Sequence, residues 1–324
     1  MKKILSLLCL FTLLAGCSNA EVDTSDKLTV VASFYPYAYF AEQLGGDLLD
    51  VKTLVPQGLE PHDYDPSPDD LKSLYNADLF VYNGAAFEPW IDDIATELTE
   101  DGVALYEAAD FVELIPLAEG GEHSEEEAWW FLPRASAHDT GEEHIEYDPH
   151  FWLDPVRAQT IVQTLANTLG SLDPENTLTY QNNAKVIINE LARIDASFAS
   201  DLQTCTQKEF VASHAAFAYV ADRYGLTMVP ILGISPQDEP SIKELEVISS
   251  LVKEKGLTVI YTEPLLSSSF AEAVSRETGA SLLTLNPLEG LTDEEVLASE
   301  NYLTVMTKNL ENLKAGFACE ATPL

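Results

Sequence analysis

Basic residues are scarce in this chain. Lysine and arginine together number 17 against 54 aspartates and glutamates, a formal charge of −37 over 324 residues. Nucleic acid and anionic lipid are therefore poor partners through surface charge, because phosphates would be repelled. Cations would be attracted, although a very soluble or salt-adapted surface has the same composition. Long apolar runs are also lacking. The one clear run, Ile4 to Leu14, is shorter than the about 20 residues a membrane-spanning helix needs. No His-Glu-x-x-His run, nucleophile elbow or Gly-rich phosphate loop is found, which removes the commonest hydrolase and nucleotidase signatures. Without a Walker motif, hydrolysis of nucleotide by a P-loop is not expected of the chain. Hydrophobic residues make up 46%, enough to exclude wholesale disorder. The length fits one large domain or two ordinary ones.

The N-terminus reads as an address. Lys2 and Lys3 precede the apolar run, which ends in Leu14-Ala15-Gly16-Cys17. That ending resembles a bacterial lipobox, with cleavage before Cys17 and a lipid on its thiol. A plain secretory signal with an incidental cysteine is the alternative. Residues 1–16 are then the signal and residues 17–26 a polar tether. Of four cysteines, Cys9 leaves with the signal and Cys17 takes the lipid, so Cys205 and Cys319 remain. In an oxidising compartment they are candidates for a disulfide. It would close a loop of about a hundred residues and contribute roughly 4–5 kcal/mol on the chain-entropy model. Two buried free thiols are the other possibility.

Two βα-rich halves follow. Strands are expected at Lys27 to Phe34, Leu49 to Val55, Leu79 to Tyr82 and Val103 to Tyr106, with helices between them. Ser67-Pro68-Asp69-Asp70 is a strong helix start. The second half repeats the pattern, with strands at Phe210 to Ser213, Leu226 to Ile231, Leu257 to Tyr261 and Ser281 to Leu285. Ser241 with Glu244, and Thr292 with Glu295, make capping boxes; the second opens a final helical region reaching about Leu313. Such alternation argues for α/β architecture with parallel sheets and covering helices. Residues 174–203 read as one long linking helix of some 40 Å. It divides a first lobe, 27–173, from a second, 204–324. Periodicity fails over 119–146, an acidic stretch containing His123, His138 and His144, which reads as a surface insertion.

Only six histidines are present. His62, His150 and His214 each stand where a strand should end or a loop begins. Ligands of open α/β sheets collect at the carboxyl ends of strands, and neutral imidazole is the commonest zinc ligand. A single such histidine would ordinarily be structural; three at analogous boundaries point to a metal site.

Five segments now carry a family resemblance. They are Ala32-Ser33-Phe34-Tyr35-Pro36, Gly58-Leu59-Glu60-Pro61-His62-Asp63-Tyr64, Asp148-Pro149-His150-Phe151-Trp152-Leu153-Asp154, Ser213-His214-Ala215-Ala216-Phe217 and Leu285-Asn286-Pro287-Leu288-Glu289-Gly290-Leu291-Thr292. In this order they resemble the zinc and manganese receptor lipoproteins of bacterial ABC importers, over roughly Lys27 to Leu313. The resemblance implies two Rossmann-like lobes joined by a rigid helix, with a metal cleft between them. It carries the ligands onto His62, His150 and His214. The fourth ligand is a carboxylate: in some members it stands at the position of Asn286, but in those with the Asn-Pro-Leu-Glu wording it is the glutamate, here Glu289. Manganese members resemble two-His, two-carboxylate sites, so His214 favours Zn²⁺ over Mn²⁺, and an N₃O donor set suits tetrahedral zinc. Asp63, Asp154 and Glu263 are candidates to hold the ring N–H groups, with Asp154 equally a helix N-cap. The loop histidines His123, His138 and His144 would collect zinc weakly, unless the loop is simply acidic and inert.

The implied function is extracytoplasmic zinc capture and delivery to a separate ABC permease and its ATPase. The protein would be a monomer, held at the membrane by the lipid on Cys17 or free in a periplasm. A manganese receptor of the same family is the near alternative. A zinc hydrolase would need three ligands plus water and a nearby general base, and a fourth protein ligand argues against it. An adhesin lipoprotein that keeps the fold without the metal is a third class.

Overall fold

The computed structural model describes residues 27–117, 146–237 and 239–319. The apolar, β-branched segment Leu28–Ala32 forms β1, followed by α1 (Tyr35–Gly45), whose first turn accommodates Pro36. The chain continues through β2 (Leu49–Thr53), α2 (Pro68–Leu74), β3 (Leu79–Tyr82), α3 (Ile91–Glu100) and β4 (Ala104–Glu107). Helix α2 starts as the sequence indicates: Ser67 and Asp70 form a capping box over Pro68. All pairings in the first sheet are parallel, in the order β2-β1-β3-β4. The direction of winding reverses between β1 and β3, which opens a crevice at their carboxyl ends.

Two long helices cross the molecule. Helix α4 (Pro155–Leu172) is capped by Asp154 and buries Ala158, Ile161, Val162, Leu165, Ala166 and Leu169 at helical spacing. A short 3-10 turn at Pro174–Asn176 leads into α5 (Thr177–Gln203), 27 residues and about 40 Å long. The linking helix thus begins three residues later than its sequence suggests, and it does not run alone. Thr177 Oγ1 donates to Gly170 O at 3.0 Å, and Gln163 donates to Gln181 at 3.0 Å, so α4 and α5 form a packed hairpin. Gly170 permits this approach, because a Cβ there would lie 2.9 Å from Thr177 Cγ2.

The second half contains β5 (Glu209–Ala212), α6 (Ala218–Tyr224), β6 (Thr227–Pro230), α7 (Ile242–Lys255), β7 (Val259–Thr262), α8 (Ser269–Thr278) and β8 (Ser281–Thr284). Its sheet is also parallel, in the order β6-β5-β7-β8, the same topology as the first. Helix α7 has the expected Ser241–Glu244 capping box and stops at Gly256, whose φ of 64° suits a residue without Cβ. The last helical region is not continuous. It divides into α9 (Asp293–Leu297) and α10 (Tyr302–Gly316), because Ser299 turns left-handed at φ 59° and Asn301 starts a new helix by accepting from Leu303 N and Thr304 N.

One apolar core joins both halves. It runs from Val30 and Phe40 through Ile161, Leu165, Leu191 and Phe198 to Phe210, Tyr261 and Phe317. Wide opening of the halves would break this core, and the exposed apolar area would cost about 25 cal/mol per Å². A disulfide joins Cys205, after α5, to Cys319, after α10, across 114 residues of sequence. Among the described residues no helix is long and apolar enough to cross a membrane.

Candidate metal centre

The carboxyl ends of both sheets face one buried cluster. His214 follows β5 by two residues and Glu263 directly follows β7, so both stand at the winding reversal of the second sheet. Glu289 lies in the loop after β8, and His62 in the long loop after β2. His150 stands just before a 3-10 turn, Phe151–Leu153, that leads into α4. His150 and His214 are fully buried and Glu289 is 2% exposed. The His62 side chain is 7% exposed.

The four residues converge atom to atom. His62 Nε2 and His150 Nε2 are 3.2 Å apart, and His150 Nε2 and His214 Nε2 are 3.3 Å apart. Glu289 Oε1 lies 3.3 Å from His62 Nε2, 3.3 Å from His214 Nε2 and 3.6 Å from His150 Nε2. A tetrahedral ion with legs of about 2.0–2.1 Å has edges of about 3.3–3.4 Å. Four of the six edges therefore match a tetrahedral N₃O shell closely, and a fifth, His150 to Glu289, is slightly longer at 3.6 Å. Lone pairs facing one another at this distance repel unless a cation or proton sits between them. Glu289 Oε1 is also a buried oxygen without a hydrogen-bond donor, as a metal-directed oxygen would be.

Two carboxylates orient the rings. Glu263 accepts from His214 N through Oε1 at 2.9 Å and pairs with His214 Nδ1 through Oε2 at 2.6 Å. Asp148 Oδ1 accepts from His150 N at 2.8 Å and pairs with His150 Nδ1 at 2.9 Å. Each contact places the proton on Nδ1 and leaves Nε2 free to ligate. Of the three acids expected from sequence to do this, only Glu263 does. Asp63 is exposed and takes its bond from Gln237 across the cleft mouth. Asp154 is buried but caps α4 and binds Arg157 and Arg223, clamping α4 to α6. Both are engaged by other partners, Asp63 by Gln237 and Asp154 by the start of α4, Arg157 and Arg223. Asp148 was missed, although an aspartate two residues before a histidine is an Asx-turn signal. Tyr219 fixes it from the other half, donating to Asp148 O at 2.6 Å and accepting from Ile115 N at 3.0 Å.

Aromatic rings wall the site. Phe87 packs edge-on against His62, with centroids 4.6 Å apart, and Trp152 lies 5.3 Å from His150. The electrostatics follow from burial and charge. Burial lowers the His150 pKa below 6.5, despite Asp148 pulling the other way. Burial acts in the same sense on His214, but Glu263 and Glu289 outweigh it and hold that ring well above 6.5. Burial would raise Glu289, yet His214 and His62 keep it far below the usual carboxylate range. Burial pushes Glu60 up to about 7; its Oε1 accepts from His62 N at 3.2 Å. Asn286 does not face the cluster; its amide binds Glu295 and Leu288 N. Cys17, His123, His138 and His144 lie outside the described residues.

Two parallel α/β halves sharing a long helical hairpin, with a buried His₃Glu cluster between them, define a metal-receptor fold of the solute-binding class. The comparisons make the family specific. Residues 30–316 match the model of ZnuA, the zinc-uptake complex component A, periplasmic. The chain is 39% identical over 319 residues to the zinc-binding lipoprotein AdcA of Streptococcus pneumoniae, covering 97% of this chain and 61% of AdcA. It is 37% identical over 309 residues to the high-affinity zinc uptake system protein ZnuA of Bacillus subtilis, covering 94% and 93%. Zn(II)-bound AdcA from S. pneumoniae superposes with a TM-score of 0.75 at 36% identity, over 91% of this chain and 59% of that one. The laminin-binding adhesin Lmb of Streptococcus agalactiae, in a mutant structure, superposes with a TM-score of 0.77 at 32% identity, over 90% and 99%. The chain belongs to the zinc-uptake component A family. It spans about three-fifths of the length of the AdcA relatives.

Proposed function

We propose that this chain is the extracytoplasmic zinc receptor of an ABC importer. The observation that carries the reading is the near-tetrahedral spacing of 3.2–3.6 Å among the ligating atoms of His62, His150, His214 and Glu289. Family membership and the Zn(II)-bound structure of AdcA support it. Zn²⁺ is the cargo, entering from the side of His62, the most exposed ligand. Three neutral imidazoles and one carboxylate bind it as an N₃O shell, which manganese, preferring more oxygen, fits less well. A fourth protein ligand closes the shell and leaves no place for an activated water, so the site holds metal rather than catalysing hydrolysis. The shared core limits opening to the loops around the cleft, chiefly the segment carrying His62. The loaded monomer delivers its ion to a separate permease driven by an ATPase. Residues 1–16 act as the export signal, the thiol of Cys17 takes the lipid anchor, and residues 17–26 are the tether.

The test is metal titration of the chain from residue 18 onward, after chelator stripping. One tight Zn²⁺ per chain, undisturbed by excess Mn²⁺ and lost in His214→Ala, is the expected result. Tight Mn²⁺ binding would make this a manganese receptor. No tight metal would refute the receptor reading.

A further inference from the structure

Asn286 lies three residues before Glu289, and the structure gives its amide a task of its own. Asn286 Nδ2 donates to Glu295 Oε1 at 2.8 Å, and its Oδ1 accepts from Leu288 N at 2.7 Å. Its backbone is clamped as well: Asn286 N donates to Asn309 Oδ1 at 2.9 Å, and Asn309 Nδ2 donates to Asn286 O at 2.7 Å. Both asparagines are buried. The other carboxylate oxygen of Glu295 accepts from Thr292 N at 2.9 Å in the cap of α9. The bond from Asn286 to Glu295 therefore closes residues 286–295 into a ring, with Glu289 inside it.

Within that ring Leu288 holds φ at 60°, a left-handed conformation that a leucine adopts only when its surroundings impose it. Leu288 N is the donor that Asn286 Oδ1 captures, and Leu288 is fully buried. The turn at Leu288 sets where the next side chain, Glu289, points.

We propose that Asn286, with Glu295 as its partner, is a positioning residue that fixes Glu289 Oε1 on the metal, and that this role requires an amide. A carboxylate at 286 would lose the donor and face the Glu295 carboxylate at hydrogen-bond distance. The two acids would push apart, the ring would open, and Leu288 would relax from its left-handed turn. The inference rests on the proposed metal function, and the experiment separates the two.

Cobalt serves as the probe, because its visible absorption reports tetrahedral ligation. The full metal-stripped chain is compared with Asn286→Asp, Glu295→Gln and the double variant. Asn286→Asp is expected to bind Co²⁺ about 10–100-fold more weakly, with a weakened tetrahedral absorption band. The double variant, which exchanges acid and amide, is expected to recover affinity and spectrum at least in large part. Glu295→Gln alone leaves one acceptor oxygen for two donors, Asn286 Nδ2 and Thr292 N, but brings no like charges together, and is expected to lose less than Asn286→Asp. Unfolding curves of the metal-free forms control for folding; recovery in the double variant cannot come from a merely weakened fold. An Asn286→Asp chain with native affinity and spectrum overturns the positioning role. So does a double variant as impaired as Asn286→Asp alone. A native chain that takes up no cobalt or zinc refutes instead the metal function on which the inference stands.

Discussion

Lowering the pH should weaken zinc binding, mainly through His214. Without metal, Glu263 and Glu289 hold this ring protonated well above pH 6.5, while burial keeps His150 neutral below it. Zinc needs the neutral Nε2, so it must expel the His214 proton. Displacing one proton changes the apparent affinity about tenfold per pH unit, or about 1.4 kcal/mol. Between pH 7.5 and 5.5 the loss should therefore reach about 100-fold. Chelator competition, corrected for the chelator's own protonation, measures it. Calorimetry in buffers of different ionisation heat should show about one proton released at pH 7. The metal-free protein should respond in a different sense. The contribution of His214 is complete below its unfolded value of 6.5 and is lost as pH rises through its folded value. That of Glu289 is complete above 4.5 and is lost as pH falls through its depressed folded value. The two overlap fully between pH 4.5 and 6.5. Zinc should accordingly raise the melting temperature more at pH 8 than at pH 6. A binding constant flat from 7.5 to 5.5, with no proton released, would refute the electrostatic account of His214.

Glu263→Gln keeps a hydrogen-bond acceptor for His214 but removes the charge, and should weaken zinc about 10–100-fold; unchanged affinity by competition titration would show that packing alone orients the ring. Trp152→Phe removes the Nε1–H that donates to the buried Pro287 O at 2.8 Å and shrinks a fully buried ring. It should destabilise the metal-free chain by about 2–4 kcal/mol; a loss under about 0.5 kcal/mol in denaturant would contradict that. Replacing Cys205 and Cys319 by serine should cost up to about 4–5 kcal/mol, read as a lower denaturation midpoint; an unchanged midpoint would mean the packing of α10 already secures the C-terminus. Deleting residues 119–145 should leave the tight zinc site intact, since none of its four ligands lies there; loss of stoichiometric binding would give the loop a share in the site.

Much of the architecture was legible because local chemistry and tertiary fold agree. The capping boxes at Ser67, Ser241 and Thr292 and the stop at Gly256 appear where their residue types place them. Such signals act within a few residues and do not depend on the rest of the chain. Helix α4 was less visible, because its significance lies in packing against α5. The break at Ser299 escaped notice because Asn301 reads equally well as a polar helix residue or as a cap.

The site divides along the same line. Sequence alone marked His62, His150 and His214 as standing at loop boundaries, and the resemblance pointed to Glu289 rather than Asn286. Whether their ligating atoms meet is a matter of long-range geometry, set by two sheets, a helical hairpin and loops from both halves. Tertiary structure also decided which acids serve the rings. Asp63, Asp154 and Asp148 are similar as residues and all lie near a histidine in sequence, yet only Asp148 reaches one. By itself the sequence determined the periodicities, the caps, the charge and the donor types, because these are properties of neighbouring residues. The tetrahedral spacing, the pairing of His214 with Glu263 and the clamp of Asn309 on Asn286 came only with the fold, because each joins groups that the chain keeps far apart until it packs.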